Sequence, residues 1–192
     1  MPFEHETKFV VSLDATPEWI ERLPGVIPIK TQDLFQVYLN DGIRLRHTHT
    51  ETDPLSLDTY IMAYKRRTSR GPIEIETEIS QVDFEALVEG EARTIRKTRH
   101  TFSHEGTSLD LELDTYSGET GAAFLRVIEV EFDLEEAAKL SVIAALLGDR
   151  LVRQIDPEAD GRFANHRLCN RYYALGLAHE TYQGHRPRRQ AA

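Results

Sequence analysis

The sequence contains a single cysteine, Cys169, among its 192 residues. One thiol excludes a framework of intrachain disulfides and is typical of a protein in a reducing compartment. The chain also lacks an apolar run of the roughly 18 residues that a membrane-spanning helix requires. Its N-terminus passes directly into charged residues, so the sequence predicts no signal peptide. We therefore expect a cytoplasmic protein that has no membrane partner.

A surplus of positive charge is missing as well. The chain has 23 Lys and Arg residues against 32 Asp and Glu residues, which gives a formal net charge of −9. Because nucleic-acid affinity depends largely on basic surfaces, we expect no nucleic-acid partner. The content of 40% hydrophobic and 29% charged residues is that of an ordinary globular protein. The length suffices for one large domain with a substantial core.

The alternation of apolar and polar residues predicts eight strands and four helices. The strands are expected near residues 3–12, 34–39, 42–49, 57–67, 72–80, 95–104, 107–116 and 126–133. The helices are expected near residues 17–22, 81–89, 134–147 and 161–176. Asn40-Asp41-Gly42 predicts a tight turn between two strands. We interpret residues 1–178 as one domain and residues 179–192 as a flexible, basic C-terminal tail.

What the sequence has in abundance is charge at every second strand position. Glu4, Glu6 and Lys8 share one face of the first strand, because strand side chains alternate between faces. The later strands repeat this pattern, each with charge of one sign. Their charged positions are Arg44 and Arg46; Lys65; Glu74, Glu76 and Glu78; Lys97 and Arg99; Asp110, Glu112 and Asp114; and Glu129 and Glu131.

One such strand would be an ordinary antiparallel strand with its polar side in water. Taken together, the strands differ from this ordinary case in two ways. Positive and negative charges are segregated by strand, and amphipathic helices are present to cover the apolar faces. The charged faces would then point inward, into a closed barrel of eight antiparallel strands with helices outside, an α+β fold. Unpaired buried charge is costly, so such an interior is expected to hold water, metal and a charged ligand.

The two signs of charge suggest what that ligand is. Carboxylate oxygens suit Mg²⁺ or Mn²⁺, which bind through a few carboxylates together with substrate phosphates. Arginine and lysine side chains suit a phosphate chain. Metal-binding acids and phosphate-binding bases in one cavity favour phosphoryl-transfer chemistry.

In this order, the motifs resemble those of the CYTH family, also called triphosphate tunnel metalloenzymes, along nearly the whole chain. The opening motif is E-x-E-x-K. The matching segments are Glu4-His5-Glu6-Thr7-Lys8, Gln36-Val37-Tyr38-Leu39, Arg44-Leu45-Arg46, Lys65, Glu74-Ile75-Glu76, Lys97-Thr98-Arg99, Glu112-Leu113-Asp114, Glu129-Val130-Glu131 and Arg171-Tyr172-Tyr173. The resemblance implies a tunnel of eight antiparallel strands in which triphosphates are hydrolysed or rearranged with a divalent metal.

The resemblance also implies a role for each charged residue. The metal ligands would be Glu4, Glu6, Glu129 and Glu131. The phosphate chain would be held by Lys8, Arg44, Arg46, Lys65, Lys97 and Arg99. The catalytic group would be Lys8, Glu74 and Glu76, with Glu76 preferred as the base that activates water. Glu112 and Asp114 would orient the bases without contacting the ligand themselves. His5 would pack on the outer, apolar-facing side of the strand.

Several functions stay open at this point. The leading one is hydrolysis of inorganic tripolyphosphate with release of orthophosphate. The alternatives are a cyclase that forms cyclic AMP from ATP, a thiamine triphosphatase, and a module that binds polyphosphate without cleaving it. An organic substrate would need an additional pocket, for which residues 50–57 and the helix near 161–176 are candidates. The sequence is compatible with one or two metals and with a monomer or a homodimer.

Overall fold

The structure is a computed structural model that describes residues 5–52, 55–68, 71–118, 120–157 and 159–183. Its centre is a nine-stranded antiparallel sheet with the order β5-β4-β3-β2-β6-β7-β8-β1-β9. The strands are β1 (His5–Val11), β2 (Val26–Tyr38), β3 (Ile43–Thr52), β4 (Leu55–Thr68), β5 (Gly71–Glu78), β6 (Thr94–His104), β7 (Leu109–Ser117), β8 (Ala123–Phe132) and β9 (Leu151–Ile155). Most neighbours in the sheet are also neighbours in sequence, since β2–β5 and β6–β8 follow one another directly.

The described residues form five α-helices beside the sheet. They are α1 (Pro17–Ile20), α2 (Gln81–Val88), α3 (Leu140–Leu147), α4 (Asn165–Leu168) and α5 (Arg171–Gln183). Helix α1 begins at a capping residue, because the Thr16 side chain accepts a hydrogen bond from the Trp19 amide and Pro17 occupies the first turn. Ser80 caps α2 in the same way, accepting from the Asp83 amide. A 3₁₀ segment, Leu134–Lys139, leads into α3.

The α+β class and the antiparallel arrangement are confirmed, but the predicted number of strands is wrong. The ninth strand, β9, pairs with β1 through Lys8 and Ile155 and their neighbours. It is only five residues long and its pattern has no strict alternation, so it gave no local strand signal. Among the described residues, the pairing forms an open series that begins at β5 and ends at β9. The closed barrel therefore stays a prediction.

One face of the sheet is apolar and covered by helices. Phe9 of β1 packs in a buried cluster with Ile20 of α1 and Ile143 of α3. Further along the same face, Leu45 of β3 packs with Phe84 of α2. Helices α1, α2 and α3 therefore cover the apolar face, as the sequence predicted for amphipathic helices outside the strands.

The opposite face carries the charges, and its apolar end is covered by the C-terminal helices. Val10 and Tyr116 lie on this face and pack in one buried cluster with Leu168 of α4 and Leu177 of α5. Helix α5 continues into the predicted tail as far as Gln183, and the rest of that tail, 184–192, lies outside the described residues. Within the described ranges, no helix has the length and apolar character needed to cross a membrane.

The turn between β2 and β3 is a single 3₁₀ turn, Asn40–Gly42. Gly42 has a positive φ of 81°, and a Cβ atom there would lie 2.7 Å from the carbonyl oxygen of Lys65. The predicted tight turn is therefore present, and it requires glycine both for its backbone conformation and for its close approach to β4.

Candidate functional site

The strand register places the predicted acids and bases on one face of the sheet. Glu6 of β1 lies opposite Glu131 of β8, and Lys8 lies opposite Glu129. Glu129 in turn lies opposite Glu112 of β7. Directly opposed residues in an antiparallel pair share a face, so these five side chains form one group.

The same face continues across the other strands. Arg99 of β6 lies opposite Asp114 of β7. On the far side, Ala63 of β4 lies between Arg44 of β3 and Glu76 of β5. We call this surface the charged face. Its members among the predicted site residues are Glu6, Lys8, Arg44, Arg46, Lys65, Glu74, Glu76, Lys97, Arg99, Glu112, Asp114, Glu129 and Glu131.

Two other residues named from the sequence lie elsewhere. Glu4, a predicted metal ligand, lies outside the described residues. His5 lies on the apolar face opposite Phe132, and the two ring centroids are 5.8 Å apart. The prediction that His5 packs on the apolar-facing side of the strand is confirmed.

Lys8 is buried among carboxylates. Its Nζ atom lies 2.5 Å from Oε1 of Glu6 and also forms an ion pair with Glu129. Burial alone would lower the pKa of Lys8, but the charges of Glu129 and Glu6 outweigh that effect, so the pKa is raised. Lys8 is therefore held as a cation at the centre of the acidic strands.

Arg99 connects three acids of the charged face. Its Nε atom lies 2.7 Å from Oδ1 of Asp114, and its Nη2 atom lies 2.5 Å from Oε2 of Glu129. A third ion pair joins Arg99 to Glu112. Burial raises the pKa of Glu112, and it outweighs the opposing charge of Arg99. A planar guanidinium suits this role because it presents several donors in fixed directions.

Lys97 and Asp114 form the deepest ion pair of the site. The Lys97 side chain is 1% exposed, and that of Asp114 is fully buried. Burial lowers the pKa of Lys97 and outweighs the nearby carboxylates. Burial would raise the pKa of Glu129, but the charges of Lys97, Lys8 and Arg99 outweigh it and lower that pKa. The protonation states of the buried acids and bases therefore depend on one another.

A second group of charges lies on β3, β4 and β5. Arg44 Nη2 lies 2.7 Å from Oε1 of Glu76, and Arg46 Nη2 lies 3.8 Å from the other oxygen of that carboxylate. Lys65 Nζ lies 2.9 Å from Oε2 of Glu74. Within the described part of the chain, the Nε atoms of Arg44 and Arg46 are buried without a hydrogen-bond partner. Buried donors of this kind are rarely left unpaired, so each is available to donate to a water or to an oxygen of a ligand.

Two cavities open at opposite ends of the charged face. One, of about 370 Å³, includes Arg44, Lys65 and Arg93 in its lining. We call it the basic cavity. The other, of about 300 Å³, is lined by Ser108, Leu109, Asp110, Glu112, Glu131 and Glu136, and we call it the acidic cavity. Arg93 precedes β6 and Ser108 follows it, so the cavities lie at the two ends of this strand.

The donors of the site fit a hard divalent cation in chemistry but are not assembled as ligands. In residues 5–52, 55–68, 71–118, 120–157 and 159–183, no group of three or more His, Cys, Asp or Glu side chains has the arrangement of a metal site. Of the predicted ligands, Glu6 and Glu129 instead form ion pairs with Lys8. Carboxylate oxygens remain the donors that Mg²⁺ and Mn²⁺ prefer.

Sequence patterns missed three residues that the structure brings to this face. Tyr116 is buried beside Lys97, whose Nζ atom lies 5.6 Å from the ring centroid, and the Tyr116 hydroxyl donates to Oδ1 of Asn165 at 2.8 Å. Arg93 and His166 line the basic cavity. Tyr116 is the next alternate position after Asp114, so the strand period could have found it. Arg93 and His166 lie in a loop and a short helix, which have no such period.

Comparison with known proteins finds structures of similar fold but no named family. No family model matches the chain, and no curated protein matches it. The PH1819 protein from Pyrococcus horikoshii has a similar structure, with a TM-score of 0.52 and 18% identity over 80% of this chain and 94% of that protein. This likeness shows the fold alone.

Two further solved structures are similar at lower scores. A conserved hypothetical protein from Pyrococcus furiosus has a TM-score of 0.48 and 21% identity, over 76% of this chain and 91% of that protein. The PH1012 protein from Pyrococcus horikoshii has a TM-score of 0.47 and 19% identity, over 76% and 90% of the two chains.

Proposed function

We propose that this protein hydrolyses a triphosphate in a metal-dependent reaction on the charged face, with inorganic tripolyphosphate as the simplest substrate. One observation carries the proposal. Arg44 and Arg46 present buried, unpaired Nε donors on the same sheet face as the buried network of Lys8, Arg99 and Glu129. Closure of the antiparallel strands into a tunnel, which the sequence resemblance implies, is part of the proposal.

A phosphate chain is long enough to contact several bases of the charged face at once. The bases extend from Lys8 on β1 and Arg99 on β6, which are largely buried, to Lys65 on β4, whose side chain is 66% exposed. Buried cations are stable only when they are paired and hydrogen-bonded. A chain of several negative phosphates offers many acceptor oxygens and can contact several of these bases at once. A small monovalent anion could not.

The ion pairs of the site suggest an exchange of partners on binding. Lys8 and Arg99 contact Glu129, and Lys8 also contacts Glu6. Phosphate oxygens would compete for these cations, since the geometry of a phosphate suits a guanidinium as well as a carboxylate does. The carboxylates released in this way would be those predicted to bind metal. When bound, Mg²⁺ or Mn²⁺ would neutralise charge on the phosphates and on Glu4, Glu6, Glu129 and Glu131.

The chemical step is an in-line attack by water on a terminal phosphorus. The water oxygen forms a bond to phosphorus while the bridging P–O bond breaks, and diphosphate leaves with the electron pair of that bond. A proton of the water passes to a carboxylate, for which Glu76 is preferred over Glu74. Arg44 lies 2.7 Å from Glu76 and would orient that carboxylate. Lys8, Arg44, Arg46, Lys65, Lys97 and Arg99 would stabilise the charge on the phosphate oxygens.

The abundance of acids favours hydrolysis over simple anion binding. In a module that only stored polyphosphate, the carboxylates of Glu112 and Glu129 would repel the phosphates and weaken binding. Both lie beside Arg99, one of the bases that would hold the phosphates. A metal-dependent enzyme has a use for them, because the metal brings positive charge to the same place.

A substrate panel tests the proposal. Tripolyphosphate, ATP and thiamine triphosphate are each incubated with the full chain and Mg²⁺ or Mn²⁺, and orthophosphate and cyclic AMP are both measured. We expect orthophosphate release that stops when EDTA is added. Pyrophosphate with cyclic AMP from ATP would show a cyclase instead. No release from any of the three substrates would contradict the proposed hydrolysis.

A further inference from the structure

Two histidines and an aspartate meet on the side of the sheet that points away from the charged face. His47 and His49 are alternate residues of β3, and they lie on the side opposite to Arg46. Asp58 of β4 lies directly opposite His49 and shares its side of the sheet. We call these three residues the histidine cluster. It uses none of the residues predicted from the sequence to bind metal or phosphate.

Both imidazoles of the histidine cluster hydrogen-bond to one carboxylate oxygen. Nε2 of His47 lies 2.7 Å from Oδ1 of Asp58, and Nδ1 of His49 lies 3.1 Å from the same oxygen. A carboxylate oxygen accepts hydrogen bonds, so each of these ring nitrogens donates. The hydrogen bonds from His47 and then from His49 lower the pKa of Asp58, which keeps this carboxylate in its charged form.

These separations are close to those between the ligands of a zinc ion. Tetrahedral Zn²⁺ with metal–ligand distances of about 2.1 Å places two ligand atoms roughly 3.4 Å apart. Each imidazole nitrogen of the cluster already lies within that distance of the Asp58 oxygen. In the described ranges no group of side chains is arranged around an open metal position, and in this cluster the Asp58 oxygen lies between the two rings. The Asp58 side chain is 45% exposed, so it has room to rotate and admit a cation.

The kind of donor separates the histidine cluster from the charged face. On that face Glu129 contacts Lys8 and Arg99, which stay protonated and cannot act as ligands. Asp58 instead contacts two imidazoles, which bind metal in their neutral form. Imidazole suits Zn²⁺ and related transition metals, whereas Mg²⁺ prefers ligands that are all oxygen.

Aromatic rings hold His47 in place. The ring of Tyr60 stacks on His47, with the centroids 4.6 Å apart and the planes 8° from parallel. Phe84 of α2 packs against His47 at an angle of 62°, with a centroid distance of 6.1 Å. A ligand whose direction is fixed before binding loses less conformational entropy when the ion arrives.

A second carboxylate lies beside the cluster. Asp33 of β2 lies directly opposite His49, on the other side from Asp58. The hydroxyl of Thr98 donates a hydrogen bond of 2.7 Å to Oδ1 of Asp33 and so orients this carboxylate. Two carboxylates beside two imidazoles make the local charge favourable for a cation.

We propose that His47, His49 and Asp58 form a binding site for one transition-metal ion of the Zn²⁺ type, which joins β3 to β4 on the side of the sheet opposite the charged face. Bonds to the ion replace the hydrogen bonds to the Asp58 oxygen. Each ring nitrogen that binds the ion gives up its proton to the solvent or to the other nitrogen of the ring. The site is separate from the predicted Mg²⁺ or Mn²⁺ ligands and does not depend on the proposed hydrolysis.

Calorimetric titration of the full chain with Zn²⁺ measures the affinity. We expect His47→Gln and His49→Gln each to weaken binding by about tenfold or more, the size of effect that follows when the ligands of a metal are disturbed. His179→Gln is the matched control, because His179 is exposed on α5 and lies outside the cluster, and it should bind as wild type does. Equal affinity in wild type and both cluster variants would show an adventitious ion only and would overturn the proposal. So would the absence of binding by wild type.

Competition with Mg²⁺ distinguishes imidazole ligands from carboxylates alone. The titration of wild type with Zn²⁺ is repeated in millimolar Mg²⁺, which fills sites made of oxygen and has little affinity for imidazole. We expect the Zn²⁺ affinity to change by less than about twofold, because Mg²⁺ does not compete for His47 and His49. A Zn²⁺ affinity that falls in proportion to the added Mg²⁺ would place the ion on carboxylates and would overturn the proposal.

Hydrogen exchange locates the bound ion. Zn²⁺ that joins two strands should slow amide exchange in β3 and β4 of wild type but not of His49→Gln. Slower exchange confined to other strands would contradict the assignment. Thermal unfolding without metal shows whether each variant is folded, and Asp58→Asn, which keeps the shape of the side chain, replaces a histidine variant that is not. Neither readout requires turnover, so a failure of the proposed hydrolysis leaves this test unchanged.

Discussion

The carboxylate of Asp114 accepts a pair of hydrogen bonds from Arg99, with Nε–Oδ1 and Nη2–Oδ2 distances of 2.7 Å each. The same carboxylate contacts Lys97, which lies two residues from Arg99 on β6. Asp114 therefore fixes the direction of two bases at once. The sequence resemblance implies that Asp114 orients the bases, and that role in ligand binding stays a prediction.

Loss of this carboxylate should destabilise the protein strongly. In Asp114→Ala, Lys97 and Arg99 would remain buried without their shared partner, and breaking a buried pair in this way costs about 3–5 kcal/mol. Urea unfolding followed by circular dichroism measures the change in the free energy of unfolding.

Asp110→Ala provides the control, because Asp110 is exposed and lies on the same strand. We expect its free energy of unfolding to differ from wild type by no more than about 0.5 kcal/mol. Equal effects of the two substitutions would argue against the role of the buried pair.

The free energy of unfolding should also depend on pH through Glu129. The charges of Lys97, Lys8 and Arg99 outweigh burial and lower the pKa of Glu129 in the folded state. A group with a lowered folded pKa stabilises the protein fully above its unfolded pKa, about 4.3 for Glu, and loses that contribution as the pH falls through the folded value.

Wild type should therefore lose stability as the pH falls below about 4, and the difference between wild type and Glu129→Gln should narrow over the same range. Urea unfolding at pH 7, 5 and 3 tests this. The exposed residue Glu135 gives the control variant, Glu135→Gln, which should follow wild type at each pH. A difference between Glu129→Gln and wild type that stayed constant with pH would contradict the expected linkage.

Removal of Arg46 should weaken the hold on the phosphate chain. Hydrogen bonds to charged groups contribute about 1.5–3 kcal/mol, so Arg46→Ala should lower kcat/KM for tripolyphosphate by about 10- to 100-fold. Steady-state release of orthophosphate gives both constants.

Arg96→Ala is a suitable control for this prediction. Arg96 belongs to the same sheet but lies over the ring of Phe35, 4.1 Å from its centroid, on the opposite face. Activity close to wild type is expected. Equal losses in the two variants would show that the charged face does not bind the phosphates.

Glu131 lines the acidic cavity and is one of the predicted metal ligands. Glu131→Gln should raise the Mg²⁺ concentration needed for half-maximal activity, because a neutral amide holds a divalent cation less well than a carboxylate. Activity is measured over a range of Mg²⁺ at saturating tripolyphosphate.

Asp110 also lines the acidic cavity but is not a predicted ligand, so Asp110→Asn is the matched variant. A shift in Mg²⁺ dependence for Glu131→Gln that Asp110→Asn does not share supports the assignment. Identical Mg²⁺ dependence in Glu131→Gln and wild type would remove Glu131 from the set of metal ligands.

The sequence alone determined which side chains share a face, because alternation along a strand is a local property of the backbone. Glu6 and Lys8 on β1, and Lys97 and Arg99 on β6, could be grouped without knowing any pairing. The turn at Gly42 was also predictable, since its positive φ favours glycine. Both features could be predicted from residues that are neighbours in the sequence.

Only the tertiary structure decided which charges meet. The contact of Arg99 with Glu129 joins residues 30 positions apart through the order of β6, β7 and β8, and register is set by packing over the whole sheet. Strand β9 is too short for its sequence to predict a strand, and it forms by pairing with the edge of β1. Arg93 and His166 reach the basic cavity from a loop and a short helix, whose positions follow from packing rather than from any local period.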